Sequence, residues 1–169
     1  MPTETTPTQE QLLDDSYRDA MQRAGHLLAS RPRTEHELRI RLGAAGYHDP
    51  VVERVVIRLI ELRLVDDRGF AAQWVSERAI SKGRSGEALI AELVDKGIER
   101  ATAEDAVAEA GIDEEIQARE LAARLVSKVA NKPLEKQAEA LLGRLLRRGF
   151  SHEVARDAVR SVLPPEGWD

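Results

Sequence analysis

Side chains able to carry out acid–base, nucleophilic or metal chemistry are few in this sequence. Cysteine is absent, which excludes disulfides, thiolate metal sites and cysteine nucleophiles. Asp66 and Asp67 could form an acid–base or metal-binding pair, but adjacent carboxylates at a helix start are more simply an N-cap and a partner for the helix dipole. No metal-ligand spacing such as HExxH connects the four histidines, which are His26, His36, His48 and His152. We therefore predict a binding protein without enzymatic activity, cofactor or metal.

A stripe of aromatic and basic residues is the first candidate binding feature. Phe70, Trp74, Arg78 and Lys82 recur every four residues and share one face of a helix. The rings could stack on nucleic-acid bases while Arg78, Lys82 and Arg84 follow the phosphates. Alternatively, the rings anchor the joint between two structural repeats and the cations lie at its solvent edge. Because aromatic residues make up only 4% of the chain, we favour burial of both rings and leave Arg78 and the cations after it free to bind.

Two further groups of arginines could bind an anionic partner. Runs of charged residues usually serve only to keep a surface hydrated. A binding role for these arginines is the alternative to that ordinary role. The net charge of −5 argues against a protein that coats nucleic acid by bulk attraction. The first group is Arg31, Arg33, Arg39 and Arg41, and the second is Arg144, Arg147 and Arg148.

The elements that position these residues follow a repeat punctuated by glycine. In each copy, leucines eight and four positions before a glycine share one buried helix face, and an apolar residue follows the glycine. The glycine suits the left-handed position after a helix, and copies about fifty residues apart indicate stacked units. The repeat anchors are Leu38, Leu42 and Gly46; Leu89, Leu93 and Gly97; and Leu141, Leu145 and Gly149, with Phe70 and Trp74 added at the joint.

Each copy is predicted to contain three helices. Before the leucine helices we expect helices over 14–29, 67–82 and 113–130. The leucine helices begin after the N-caps Thr34 and Ser85, and near Pro133 in the third copy. The third helices open at Asp49-Pro50, at Thr102 with Asp105, and at Ser151. Their inward residues are Val51, Val52, Val55, Val56, Leu59 and Ile60 in the first copy and Val154, Ala155, Ala158, Val159 and Val162 in the third.

The third helices carry different charges in the three copies. The first has Arg54 and Arg58 and the third has Arg156 and Arg160, each pair one helical turn apart. The corresponding helix of the middle copy has Asp105 and Glu109, inside a run of acidic residues from Glu99 to Glu115. Either the third helices present ordinary solvent-exposed faces, or their differing charges match a long, regular partner whose charge alternates.

We predict an all-α fold, a tandem array of three three-helix repeats in an elongated molecule, straight or curved. The predicted boundaries are 14–64, 65–112 and 113–163, with a disordered extension over 1–13 and a flexible tail over 164–169. The amino-terminal sequence does not look like a signal peptide, and no apolar run reaches the length of a membrane span. We expect a cytoplasmic monomer that contacts no membrane.

The segment from Leu64 to Arg78 resembles the RecX family. It fits that family's pattern Leu-x-Asp-Asp-x-x-Phe-Ala-x-x-Trp-x-x-x-Arg position by position. The stretches 89–98 and 145–151 are similar to the family's middle and last repeats, so the resemblance covers roughly residues 20–163. The leading extension lies outside it.

The resemblance implies a regulator of the recombinase RecA, acting in homologous recombination, DNA repair and the SOS response. Proteins of this family lodge in the groove of the RecA filament on DNA and inhibit ATP hydrolysis, strand exchange and co-protease action. The expected partners are then RecA and the RecA–DNA filament, with weak direct contact to DNA. The candidate contacts are Arg31, Arg33, Arg39, Arg41, Arg78, Lys82, Arg84, Arg144, Arg147 and Arg148. Two alternatives remain: a helical protein that binds DNA without RecA, and a scaffold for some other partner.

Overall fold

The computed structural model describes residues 9–164, except for the side chains of residues 9, 10, 80 and 81. This part of the chain contains nine α-helices and no β-strand, which confirms the predicted all-α class. The helices form three successive groups of three, as in tandem three-helix domains. They are α1 (Gln9–Ser30), α2 (Glu35–Ala44), α3 (Asp49–Glu61), α4 (Asp67–Lys82), α5 (Gly86–Asp95), α6 (Arg100–Glu109), α7 (Glu114–Val126), α8 (Leu134–Leu146) and α9 (His152–Arg160).

Helix α4 has the predicted limits, whereas α1 and α7 differ from expectation at one end. Helix α1 begins at Gln9, so the predicted boundary of a disordered extension at residue 13 falls inside this helix. Helix α7 ends at Val126, and a series of turns replaces its predicted last turn up to residue 130. Residues 1–8 of the predicted extension and 165–169 of the predicted tail lie outside the described residues.

Short polar side chains cap three helices as predicted. The hydroxyls of Thr34, Ser85 and Ser151 accept hydrogen bonds from backbone amides at the starts of α2, α5 and α9, at 3.1–3.2 Å. Such caps satisfy amides that have no partner inside the helix.

Two predicted helix starts are wrong by a short distance. Helix α6 begins at Arg100, so Thr102 lies inside its first turn, and the N-cap is Glu99, whose side chain makes no capping hydrogen bond. Helix α3 begins at Asp49 after the N-cap His48, which places Pro50 in the first turn, where its missing N–H has no cost. In both cases we predicted that a polar side chain caps the helix start. The predicted residue instead lies inside the first turn, and the actual N-cap makes no side-chain capping hydrogen bond.

The leucine–glycine repeat is confirmed in all three copies. The six leucines of the pattern have no exposed surface. The glycines Gly46, Gly97 and Gly149 have φ values of 94°, 81° and 92°. At the ends of α2 and α8 the amide after the glycine donates to the carbonyl of the last leucine, at 3.3 and 3.4 Å. This is the Schellman arrangement, which explains why glycine follows a leucine at a fixed distance.

The chain divides into two compact units. The first contains the residues up to Phe70 together with Lys96–Ile98. Its core joins α1, α2 and α3, and Ile60, which we predicted to face inward, is instead 38% exposed because it lies on the outer side of α3. The buried core residues are Ala20, Ala24, Leu38, Leu42, Val51, Val52, Val55, Val56, Leu59 and Val65.

Polar contacts attach Lys96–Ile98 to the first unit. The Thr34 hydroxyl donates to the Lys96 carbonyl at 2.7 Å, and the Lys96 ammonium lies 3.3 Å from the Glu37 carboxylate. Burial raises the pKa of Glu37, but hydrogen bonds from Arg31 and Lys96 outweigh it and leave that pKa below its usual value. Glu37 therefore stays ionised and holds both cations at neutral pH.

The second unit contains residues 71–95 and the chain from Glu99 onward. Within it, α5 packs on α6, while α7, α8 and α9 pack on one another around a second core. The aliphatic side chains of this core include Leu121, Leu125, Leu141, Leu145 and Val159, with Phe150 at the end of α8. The contact between α7 and α8 places Lys128, which follows α7, and Arg144, in the last turn of α8, in the same region of the second unit.

Replacing Arg63 by glycine is expected to stabilise the protein by about 0.5–1 kcal/mol. Arg63 follows α3 with a φ of 55°, a conformation that costs a non-glycine residue energy, and its side chain is exposed. Its amide and that of Leu64 cap the helix, at 2.8 and 2.9 Å, as the glycine and its successor do after α2. Urea unfolding measures the change, with Arg63→Ala as the control because alanine keeps the strain. Equal midpoints for the two variants would disprove this explanation.

Candidate functional site

A pocket of about 520 Å³ in the second unit is lined almost entirely by cations. Among the lining residues whose side chains the structure describes, Leu125 alone is uncharged, and it belongs to the core. The other lining residues come from the end of α4 and the loop after it, from the turn after α7, and from the last turn of α8 with the two residues that follow that helix. They are Lys82, Arg84, Lys128, Arg144, Arg147 and Arg148. We call this set the basic pocket.

Backbone contacts bring the loop after α4 to the end of α8. The Ser85 amide donates to the Arg148 carbonyl at 3.1 Å, and the Arg84 guanidinium donates to the Arg147 carbonyl at 3.4 Å. Gly149 permits this approach, since a Cβ there would meet Ser85 and would lie 2.6 Å from the Cβ of Ala88. Two basic segments that are far apart in the sequence therefore line one pocket.

The basic pocket carries an excess of positive charge. Burial, followed by repulsion from Arg84 and Arg124, lowers the pKa of Arg148 below its usual value. Arg84 is partly neutralised by Glu92, whose carboxylate lies 2.9 Å from its Nε. The Nη1 atom of Arg144 is buried and has no hydrogen-bond partner within the described part of the chain. A buried donor without an acceptor and a lowered arginine pKa are both features that a bound anion would offset.

The aromatic stripe on α4 is engaged by neighbouring side chains. The Trp74 indole donates to the Glu92 carboxylate at 3.0 Å, and the Arg78 guanidinium covers its ring at 3.6 Å from the centroid. Phe70 is half-buried, with the Lys96 ammonium 5.9 Å from its ring. One face of Trp74 is thus occupied by a cation, which disfavours base stacking there. Both rings are half-buried and not fully buried as predicted. Arg78, which we left free to bind, is engaged by Trp74 and lies 3.7 Å from Glu92.

Carboxylates pair with two of the four arginines of the first repeat. Arg31 makes a two-pronged ion pair with Glu37, at 3.0 and 3.1 Å. Arg39 binds Glu53 at 2.8 Å and Glu35 at 3.1 Å. The other two are Arg33, which is 9% exposed and donates to the Leu27 carbonyl at 3.1 Å, and Arg41, which is exposed. Burial, then Arg31 and Arg41, lower the pKa of Arg33. The Nη1 atom of Arg33, like that of Arg144, is buried without a hydrogen-bond partner among the described residues. The ion pairs of Arg31 and Arg39 distinguish this cluster from the basic pocket.

Arginines on the third helices have local acidic partners. Arg54 lies 3.3 Å from Asp14 and 4.3 Å from the centre of the Tyr17 ring. Arg58 pairs with Glu61 and Arg160 with Asp157, each three residues away. The side chains of these ion pairs are exposed to solvent. Exposed ion pairs of this kind contribute little to stability.

The acidic run also contributes to a groove in the second unit. A cleft of about 520 Å³ between α4, α6 and α7 is lined by small side chains, by Ile112 and Ile116, and by carboxylates. The carboxylates belong to Glu109, Asp113 and Glu120. The second unit thus presents one basic pocket and one acidic groove.

Asp66 and Asp67 act as helix-start residues, as predicted. Asp66 accepts a hydrogen bond from the Gly69 amide at 3.0 Å, and Asp67 accepts one from the Glu35 amide at 3.0 Å. Burial raises the pKa of Asp67, against the effect of that hydrogen bond. Within the described residues, no three or more side chains of His, Cys, Asp or Glu are grouped so that they could hold a metal ion.

Sequence reasoning missed Lys128 as a member of the basic pocket. It follows Arg124 by one helical turn at the end of the predicted helix, a spacing that could have drawn attention to it. Its side chain reaches the pocket because the chain turns after Val126, close to the final turn of α8.

Comparison with known proteins places the chain among proteins named regulatory proteins. The family models for "RecX, first three-helix domain" and "RecX, second three-helix domain" match residues 20–59 and 66–107. Regulatory protein RecX from Mycobacterium sp. strain JLS is 38% identical over 148 residues, covering 83% of this chain and 79% of that protein. The protein of the same name from Thermobifida fusca strain YX is 36% identical over 155 residues, covering 91% and 84%.

Solved structures agree with this at the level of the fold. The crystal structure of RecX from Lactobacillus salivarius superposes with a TM-score of 0.75 at 21% identity, covering 88% of this chain and 97% of that one. A second crystal structure of a regulatory protein RecX also has a TM-score of 0.75, and it covers 95% and 81%.

The fold and these matches define an all-helical protein built from tandem three-helix domains. None of its helices within residues 9–164 has the length and apolar character needed to cross a membrane. The chain belongs to the RecX family.

Proposed function

We propose that the chain binds the RecA filament on DNA and inhibits the ATPase, strand-exchange and co-protease activities of RecA. Its membership of the RecX family supports this role in recombination, DNA repair and the SOS response. We further propose that it acts in the cytoplasm, as a monomer, through binding and without catalysis of its own. The basic pocket is the observation in the structure that most favours this function.

The basic pocket suits a partner that presents closely spaced negative charge. The net charge of the chain is −5, so general attraction to DNA is weak, and affinity for a polyanion must come from a local surface. A RecA filament on DNA offers both DNA phosphates and acidic protein groups. The acidic groove could then meet basic groups of the filament, so that two contacts of opposite sign fix one orientation.

A titration of RecA ATPase activity tests the proposed function. RecA on single-stranded DNA is assayed at increasing concentrations of the intact chain, and we expect ATP hydrolysis to fall progressively. The order of addition is varied, because a protein that binds the assembled filament should inhibit after assembly as well as before it. ATP hydrolysis unaffected at every dose would refute the proposal.

Direct DNA binding without RecA is the second candidate, and the six cations of the basic pocket favour it. Binding to single-stranded and double-stranded DNA is measured across a salt series. Each phosphate contact adds to the dependence on salt, so tight binding with a steep slope and no effect on RecA would favour this candidate. A protein that binds neither DNA nor RecA would instead be a scaffold for another partner.

A further inference from the structure

The geometry of the basic pocket points to a particular ligand chemistry. Six cationic side chains from three segments surround one volume of about 520 Å³, which lies within the usual range for small-molecule sites. Within residues 9–164, no carboxylate is among the side chains that line this pocket. Concentrating like charges in this way costs energy in the free protein, and a bound anion would recover it.

Arg144 supplies a second observation, a buried donor that has no acceptor. Its Nη1 is buried without a hydrogen-bond acceptor in the described part of the chain, although buried donors are nearly always satisfied. The residue lies in the last turn of α8 and lines the pocket. A guanidinium offers donors in a planar fork that matches two oxygens of one phosphate, so an oxyanion in the pocket would satisfy this atom.

The compact arrangement distinguishes between kinds of phosphate ligand. An extended nucleic-acid strand presents its phosphates in a row and is best matched by cations spread along a groove. Here the six cations instead line one pocket of about 520 Å³, and the backbone hydrogen bond from Ser85 to Arg148 holds two of the contributing segments together. Several phosphates joined directly to one another place the same charge within a much smaller volume.

We propose that the basic pocket binds a compact oligophosphate, either the di- or triphosphate group of a nucleotide or an inorganic oligophosphate of similar length. Arg144, Arg147 and Arg148 donate to the phosphate oxygens, and Lys82 and Lys128 neutralise the outer charge. This binding requires neither RecA nor DNA, so it goes beyond the proposed function although it uses the same pocket.

Calorimetry on the intact chain, in buffer without divalent cations, tests this inference. The probes are inorganic tripolyphosphate, ATP, orthophosphate and a short single-stranded oligonucleotide. We expect tripolyphosphate to bind about tenfold or more tightly than orthophosphate, because several charge-assisted hydrogen bonds form at once. ATP binding similar to that of tripolyphosphate identifies a nucleotide as the source, and binding of tripolyphosphate alone identifies an inorganic chain. Either result supports the proposed chemistry.

Matched variants locate the binding. The pocket variant Arg144→Gln/Arg147→Gln/Arg148→Gln should lose about tenfold or more in affinity for tripolyphosphate. The control variant Arg58→Gln/Arg119→Gln/Arg160→Gln removes the same charge from exposed arginines with local partners, and it should change affinity by less than about twofold. Lys128→Gln, an exposed single change, provides a milder variant if the triple pocket variant does not fold.

Three outcomes would overturn the inference. They are no detectable binding of tripolyphosphate, equal losses in the pocket and control variants, and tighter binding of the oligonucleotide than of tripolyphosphate. None of these depends on RecA, so failure here is distinct from failure of the proposed function. Inhibition of RecA with no tripolyphosphate binding would leave the proposed function standing and remove only this ligand.

Discussion

Gly149→Ala is expected to lower the free energy of unfolding by about 2–4 kcal/mol. Gly149 has a φ of 92°, which strains any residue with a Cβ. The added methyl would also lie 2.6 Å from the Cβ of Ala88 and would meet the Ser85 hydroxyl, which caps α5. The clash is costly because Ala88 has no side-chain torsion to rotate and Ser85 is fully buried.

Gly46→Ala separates the two causes of this loss. Gly46 has nearly the same φ, 94°, in the equivalent repeat position, but nothing lies within 4 Å of its added Cβ. Its substitution should therefore cost only the backbone strain, about 1 kcal/mol. Chemical unfolding of both variants provides the comparison. Equal losses would mean that the loop after α4 does not approach the end of α8 as closely as the structure places it.

Reversing the charge of the α8 arginines is expected to have the largest effect on activity. For Arg144→Glu/Arg147→Glu/Arg148→Glu, the concentration needed to half-inhibit RecA ATPase should rise by about tenfold to a hundredfold. Three of the six cations of the basic pocket then become anions, which repel a polyanionic partner. Circular dichroism and thermal unfolding establish that the variant is folded.

A control with the same change of net charge separates local from global electrostatics. Arg58→Glu/Arg119→Glu/Arg160→Glu alters exposed arginines outside the pocket and should shift half-inhibition by no more than about threefold. The difference between the two variants should also shrink as salt is raised, since screening weakens charged contacts. Full inhibition by a folded pocket variant would exclude the basic pocket from the contact with RecA.

The features predicted best from sequence depend on local chemistry. The leucine pairs, the glycines that follow them and the Ser85 and Ser151 caps all lie where expected, because helix periodicity and the conformational freedom of glycine act over a few residues. Thr102 was misplaced because α6 starts at Arg100 without a side-chain cap. A capping residue in the sequence permits a helix start but does not require one.

The candidate site was only partly predictable, because charges acquire their roles from distant partners. Arg39 looked like part of a basic cluster, yet Glu53, fourteen residues away in the sequence, binds it. The end of α4 and the end of α8 are distant in the sequence, and the contacts of Ser85 with Arg148 and of Arg84 with Arg147 join them into one pocket. Arg33 looked equally available, but it is buried against the end of α1. Such outcomes depend on tertiary packing, which spacing along the chain does not encode.

Recovery of RecA on the immobilised chain, with and without single-stranded DNA and ATP, tests the central claim most directly. We predict that RecA is retained most strongly when both DNA and ATP are present, because the filament is the proposed partner. The pocket charge-reversal variant should retain much less, and its control should match the unaltered protein. A chain that retains no RecA under any of these conditions would contradict the proposed function.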